Sequence, residues 1–368
     1  MVKIGINKRG AFSSTTTMDG KAIMWIGGVD GGDNLTGGTE AVQTGYTYTM
    51  NLNTSFTGDD NLYVRLRGGD KGNMWELEET YHIDSKDTSN EANNDSYNVD
   101  NMWYAFPVGY NITAFLGPTI ETDYMYVTPS IYQPGFFKSM KLGGLSNFGD
   151  SHDREVGAGF KWETDDGFTI ASNIVDENAN IDGILSNNSR NKWDTQIAYT
   201  TDRWHVSATL SNAQNWTGVV FNATEAAAVI GSGTTDSGYS TGYALRAYWR
   251  PLDSGTATPE ISVGYDNKKA DNPNSGAAVE ADSYFVGLTW RDMFQSDDRI
   301  GVAVTQPLKV TWFDGPQVDV DPLVWEAYYA YKLNDSMEVR PTIFGGYDVE
   351  DSTEDDIFGA VVTTVFKF

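Results

Sequence analysis

Sixteen short stretches of this chain alternate apolar and polar residues with a period of two, and that alternation constrains the fold more than any other feature. Successive strand side chains point to opposite faces, so such a stretch makes a ribbon with one apolar face and one polar face. In YTYTMNLNTSF (46–56), Tyr46, Tyr48, Met50, Leu52 and Phe56 share one face, and Thr47, Thr49, Asn51, Asn53 and Ser55 the other. TGDDN supplies the residues of a turn. LYVRLRG then returns with Leu62, Val64 and Leu66 on the apolar face and Tyr63, Arg65 and Arg67 on the polar one. The stretch ending in TTVFKF puts Phe358, Ala360, Val362, Thr364, Phe366 and Phe368 on one face to its last residue.

The pattern recurs at 22–27, 102–106, 112–118, 156–162, 168–174, 193–199, 204–210, 243–249, 261–265, 284–290, 300–304, 323–331 and 337–343. The connections alternate as well. Seven are short turns; the others, roughly 28–43, 70–99, 119–153, 175–191, 212–240, 267–281, 306–322 and 346–356, are longer and mostly polar. An even strand count with short turns at one end and long loops at the other describes a transmembrane β-barrel. Closure pairs every backbone group internally, as lipid demands, and about sixteen strands leave an aqueous channel. The fold class expected is all-β: a transmembrane antiparallel β-barrel over 16–368, after an N-terminal extension over 1–15. Separate β-sandwiches would need linkers, and none is visible.

The net charge of −26 disfavours nucleic acid as a partner, since phosphate contacts need a basic face. With no Cys, disulfides and thiolate metal sites are excluded. No run is long and apolar enough for a membrane-spanning helix. The start, MVKIGINKRG, lacks the apolar core of a secretory signal.

LNTSFTG (52–58), LYVRLRGGD (62–70) and WYAFPVGYNITAFLGP (103–118) resemble the porins of the cyanobacterial outer membrane, of the carbohydrate-selective and iron-uptake porin group. FSSTTTMDGKA (12–22) resembles that group's entry into the first strand. The signal peptide and surface-layer-homology domain usual in the group are not expected within these residues. The resemblance implies a homotrimeric outer-membrane channel, in contact with lipid and lipopolysaccharide, that passes ions and small hydrophilic solutes without a cofactor. A sugar- or iron-selective channel and a non-conducting structural or adhesion barrel are the alternatives.

The connection after the fifth strand (119–153) is rich in Tyr, Phe and Pro, as an ordered loop folded into the lumen would be. Its Glu121, Asp123, Tyr124 and Tyr126 are expected to face Arg65 and Arg67 across a constriction, with Lys138 and Lys141 adding positive charge. Opposed charges there would set up a transverse field. Alternation places Lys161, Lys192, Arg246, Glu326 and Arg340 on the inner wall, where bases outnumber acids. His82, His152 and His205 lack metal-ligand spacing. The pair His205-x-Ser207 resembles that of outer-membrane phospholipases, but here it falls on the lumen side, which argues against an enzyme. The acidic stretches 79–95 and 347–356 read as solvated loop surface, or as ligands for divalent cations.

Overall fold

The computed structural model describes residues 15–31, 41–69, 97–137, 140, 155–177, 179–215, 238–272, 277–313, 323–347 and 356–368. Sixteen strands follow one another around a closed antiparallel barrel. The first eight are β1 (Thr16–Gly31), β2 (Gln43–Thr54), β3 (Asn61–Gly69), β4 (Asn98–Pro107), β5 (Ile112–Thr119), β6 (Val156–Glu163), β7 (Phe168–Glu177) and β8 (Arg190–Thr200). The second eight are β9 (Trp204–Gln214), β10 (Tyr239–Trp249), β11 (Glu260–Asn272), β12 (Ala277–Arg291), β13 (Arg299–Phe313), β14 (Leu323–Asn334), β15 (Met337–Tyr347) and β16 (Ile357–Lys367). Each strand pairs with its sequence neighbours, and β1 closes on β16 with Trp25 opposite Thr363. No open edge is left to pair with another chain.

The alternation of the sequence is the inside–outside pattern of the wall. On β10, Tyr243, Leu245 and Trp249 are exposed while Ala244, Arg246 and Tyr248 are buried. Outward aromatics stand at both ends of a strand with aliphatics between them: Trp193, Ile197 and Tyr199 on β8, and Tyr243, Leu245, Ala247 and Trp249 on β10. Six residues of strand span about 20 Å, close to the apolar band of a membrane barrel. Phe368 stacks on Tyr48, with ring centroids 5.4 Å apart, and stays half exposed on the outer face.

Two of the short turns are built by aspartates. Asp60 accepts from Ser55 Oγ (2.8 Å), from the backbone N–H of Phe56 (2.8 Å) and Thr57 (2.9 Å), and from Tyr104 Oη on β4 (2.6 Å). Those bonds, Tyr104 first, hold its carboxyl below the usual carboxylate range. Asp298 repeats the device. It accepts from the N–H groups of Met293, Phe294 and Gln295 and from Tyr329 Oη on β14.

The strands β11 to β13 run further than the apolar pattern does. The expected loop 267–281 is strand up to Asn272 and again from Ala277, and β13 continues to Phe313. On this extension the outer face turns polar, with Asn267 Nδ2 donating to Asp282 (2.7 Å) and Lys269 paired with Glu280. Backbone pairing continues where apolar alternation has stopped, so a reading by hydropathy ends these strands early. The 1–15 extension lies almost wholly outside the described residues.

Candidate functional site: the internal segment and the inner wall

Inward-facing rings and one connecting segment occupy the barrel interior. Residues 120–137, after β5, hold only one turn of 3-10 helix, Thr122–Met125, and are fastened to the wall by side chains. At the root, Arg65 reaches from β3 to Glu121 and donates to Tyr124 Oη at 2.5 Å. Asn101 Nδ2 donates to the same Glu121 carboxylate (2.9 Å). Tyr63 stacks on Trp103 and Tyr124 packs tilted against both, with centroids 4.8 to 5.5 Å apart. Burial, reinforced by the charge of Glu121, keeps the Tyr124 hydroxyl protonated far above its ordinary range.

The alternation rule misses one member of this cluster. A register shift between Arg65 and Leu66 leaves Asp100 as the extra residue of a β-bulge on β4. Asp100 turns inward and pairs with Arg65, with Arg67 at 3.7 Å. Arg65 and Glu121 therefore touch, where the sequence reading set them across a gap. A pair in contact is a short dipole and projects less field than separated charges. Asp123 sits in the same 3-10 turn, half-buried.

Tyr126 is placed differently from the expectation that it faces Arg65. It points to the wall at β8 and donates to Asp194 at 2.5 Å, with Lys192 Nζ 3.6 Å from that carboxylate. Burial and the Asp194 charge push its hydroxyl well above the usual phenol range. Val127 and Gln196 exchange two bonds, N–H to Oε1 at 3.0 Å and Nε2 to carbonyl at 3.2 Å, so a side-chain amide stands in for a strand partner. The N–H of Ile131 donates to Ser262 Oγ on β11 (3.3 Å).

The distal half ends on β14 and β15. Glu326 accepts from Tyr132 Oη (2.8 Å) and from the N–H groups of Gly135 (2.7 Å), Phe136 (2.9 Å) and Phe137 (2.8 Å). Arg340 donates to the Pro134 carbonyl (2.5 Å) and to Glu338 (2.7 Å), which also accepts from Arg299 (2.6 Å). Phe136 stacks on Phe344 with centroids 3.6 Å apart, inside a cluster that includes Phe137, Trp25 and Val361. Three glycines make room for these rings. A Cβ would lie 2.7 Å from Tyr132 at Gly287, 2.1 Å from Tyr328 at Gly301 and 2.2 Å from Phe344 at Gly359. Glycine inside a strand signals such close approach, and that signal was available in the sequence.

The other wall residues are paired too. Lys161 Nζ lies 3.0 Å from Glu163, and Arg246 Nη2 bridges both Asp266 oxygens at 2.7 and 3.0 Å. Lys268, on the strand extension, adds a buried base. Lys138, Lys141, His82 and His152 lie outside the described residues. His205 faces inward, bonded to Thr200 Oγ1 (2.7 Å) and stacked on Tyr248. Among the described residues no three His, Asp or Glu side chains converge as a metal would require.

The whole architecture matches solved structures. OprB of Pseudomonas putida superposes with a TM-score of 0.68 at 11% identity, over 99% of this chain and 97% of that one. The fold is that of the outer-membrane porins. An anion-selective porin of Comamonas acidovorans matches with a TM-score of 0.64 at 11% identity over 96% of this chain and 99% of its own. The trimer form of OmpT from Vibrio cholerae matches at 0.60 and 12% identity over 96% and 99%. In sequence, an uncharacterized protein of Synechocystis is 25% identical over 90% of this chain, which spans 64% of that relative's length. No protein-family profile matches the chain.

Proposed function

We propose that this chain is an outer-membrane diffusion channel for inorganic ions and small hydrophilic solutes, without catalysis and without a cofactor. One observation carries the reading: a polypeptide segment is bonded to the inner wall of a closed sixteen-stranded barrel whose outer face carries two aromatic bands. That arrangement narrows a water-filled passage without filling it with a packed core. Thr128 and Gln133 of the segment are exposed, and Asn51, Asn53 and Arg67 on the wall of β2 and β3 are half-buried, which leaves polar side chains of both open to a passage. Arg65, Arg67, Glu121, Asp123 and Tyr124 form the constriction on that side, with Lys138 and Lys141 following in the chain. Short turns face the periplasm and long loops the exterior. The likeness to a Synechocystis protein supports the cyanobacterial resemblance of the hairpin motifs.

The homotrimer has its own support. Outward tryptophans stand on β6, β8, β9, β10, β12, β13 and β14 (Trp162, Trp193, Trp204, Trp249, Trp290, Trp312 and Trp325). Among the described residues, β15, β16 and β1 to β5 present none outward, since Trp25 and Trp103 point in. That face carries an apolar hollow of about 350 Å³ lined by Ile26, Ile343, Pro341, Ala360 and Val362. Lipid and lipopolysaccharide contact the face that carries outward tryptophans, and other subunits the face that carries none.

Planar-bilayer recording with ion substitution tests the channel. Stepwise ohmic currents are expected. Saturable block by sugars would favour a sugar-selective channel instead, and absence of current a structural barrel.

A further inference from the structure

We infer that the short-turn end of β12, β13 and β14 holds a binding site for a small oxyanion, built by Arg291, Arg299 and Tyr328. Its part in permeation rests on the diffusion-channel reading; the binding itself does not. Arg291 and Arg299 stand directly opposite each other in the register of β12 and β13, on the face that carries the buried Phe285 and Thr289. Like charges at opposed positions repel. Each is tied on its other side: Arg291 Nε donates to Glu260 (2.8 Å) and Arg299 Nη2 to Glu338 (2.6 Å). Those carboxylates are shared, Glu260 with Arg250 at 3.8 Å and Glu338 with Arg340 at 2.7 Å. Two carboxylates thus serve four guanidiniums. Asp292, in the adjoining turn, accepts from the N–H of Asp297 (2.6 Å). The row keeps a net positive charge where two cations meet.

Two buried donors point to what offsets it. Arg299 Nε and Tyr328 Oη are both buried, and neither has an acceptor among the described residues. Tyr328 is 4% exposed, and its ring lies across Gly301, where a Cβ would sit 2.6 Å from Oη. Gly301 is opposite Tyr328 in register and two residues beyond Arg299 on the same face. The hydroxyl and the Arg299 guanidinium therefore border one stretch of wall, with the Arg340 guanidinium 5.3 Å from the Tyr328 ring centroid. Buried polar groups are normally paired, and an exception calls for an ion or a ligand. A guanidinium only donates, and the phenol completes the set as a donor. Donors beside excess positive charge ask for an acceptor that carries negative charge. Oxyanions fit the guanidinium fork, since two oxygens can take two N–H groups. The Arg291 side chain is 36% exposed, so the site opens to the lumen. In a channel such a site must hold its ion weakly enough to release it.

The test titrates inorganic phosphate, in chloride buffer, into the full chain folded in detergent and follows binding by calorimetry. In a planar bilayer the same phosphate should reduce the chloride current with the same affinity. The wild type should bind phosphate saturably, and K269A, on the outer face, should bind it equally. Y328F keeps the ring and loses the hydroxyl. R299K keeps the charge, can still pair with Glu338, and loses the Nε donor. Each gives up one charge-assisted bond and should bind phosphate about tenfold more weakly. R291Q removes a partly exposed cation and should weaken binding at least as much. Heat-modifiable migration shows that each variant is folded. A wild type without saturable phosphate binding overturns the inference. So does unchanged affinity in Y328F and R299K, or in R291Q if those two fail to fold. A barrel that binds phosphate but carries no current overturns the channel reading and leaves the site standing.

Discussion

The guanidinium of Arg65 on β3 and the carboxylate of Glu121 at the root of the internal segment are in direct contact, with Asp100 closing on Arg65 from β4. Three elements thus meet at one cation whose side chain is 9% exposed. Arg65→Ala leaves the Asp100 and Glu121 carboxylates facing each other with only Arg67, 3.7 Å from Asp100, and the Asn101 amide to offset them. Breaking such a pair costs about 3–5 kcal/mol. The variant should unfold at lower temperature and shift the reversal potential toward cations. The double variant with Glu121→Ala should recover part of both. Unchanged reversal potential in R65A/R67A would place these arginines away from the ion path.

Ion pairing along the wall bears on selectivity. The net charge of −26 lies mostly on loops and turns, while the inner-wall bases have carboxylate neighbours. Mouth charges act over about one Debye length, ~10 Å at 0.1 M salt and ~3 Å at 1 M. Cation preference should therefore appear at low salt and fade or reverse at high salt. Reversal potentials across a KCl gradient, taken at low and high mean concentration, check this. Strong cation preference persisting at about 1 M would show an acidic constriction.

Gly359 lies under the ring of Phe344, which stacks on Phe136. Gly359→Ala puts a Cβ 2.2 Å from that ring, so Phe344 must move and the stack must open. Overpacking of this kind costs about 1–3 kcal/mol. The variant should lose its heat-modifiable form at lower temperature, whereas an alanine at exposed Gly58 should change little apart from strain at its positive φ.

Asp60 gives a pH signature at the turn between β2 and β3. Its carboxyl is depressed, chiefly by the Tyr104 hydroxyl, so its contribution is complete above the unfolded-state value near about 3.9. It is lost as pH falls through the lower folded-state value. The stability difference between wild type and Asp60→Asn should stay constant from about pH 7 to 4 and shrink only below that. Melting of the two proteins across this range tests it. A difference that shrinks between pH 7 and 5 would mean that the turn is held otherwise.

What the sequence determined is local: the strands, their number, and the face of each residue where the register is regular. Tyr63, Trp103, Phe115, Tyr248, Phe285, Tyr328 and Phe344 read as inward from alternation alone, and all are buried. Side-chain period and turn chemistry are properties of neighbouring residues, so they are visible along the chain. The constriction is not local. Asp100 turns inward only because a bulge inserts one residue into β4. Tyr126 finds Asp194 at a sequence separation of 68, and Tyr132 finds Glu326 at 194. Only barrel closure brings those strands around one segment. Which wall acid receives it depends on register and ring packing summed over the whole circumference.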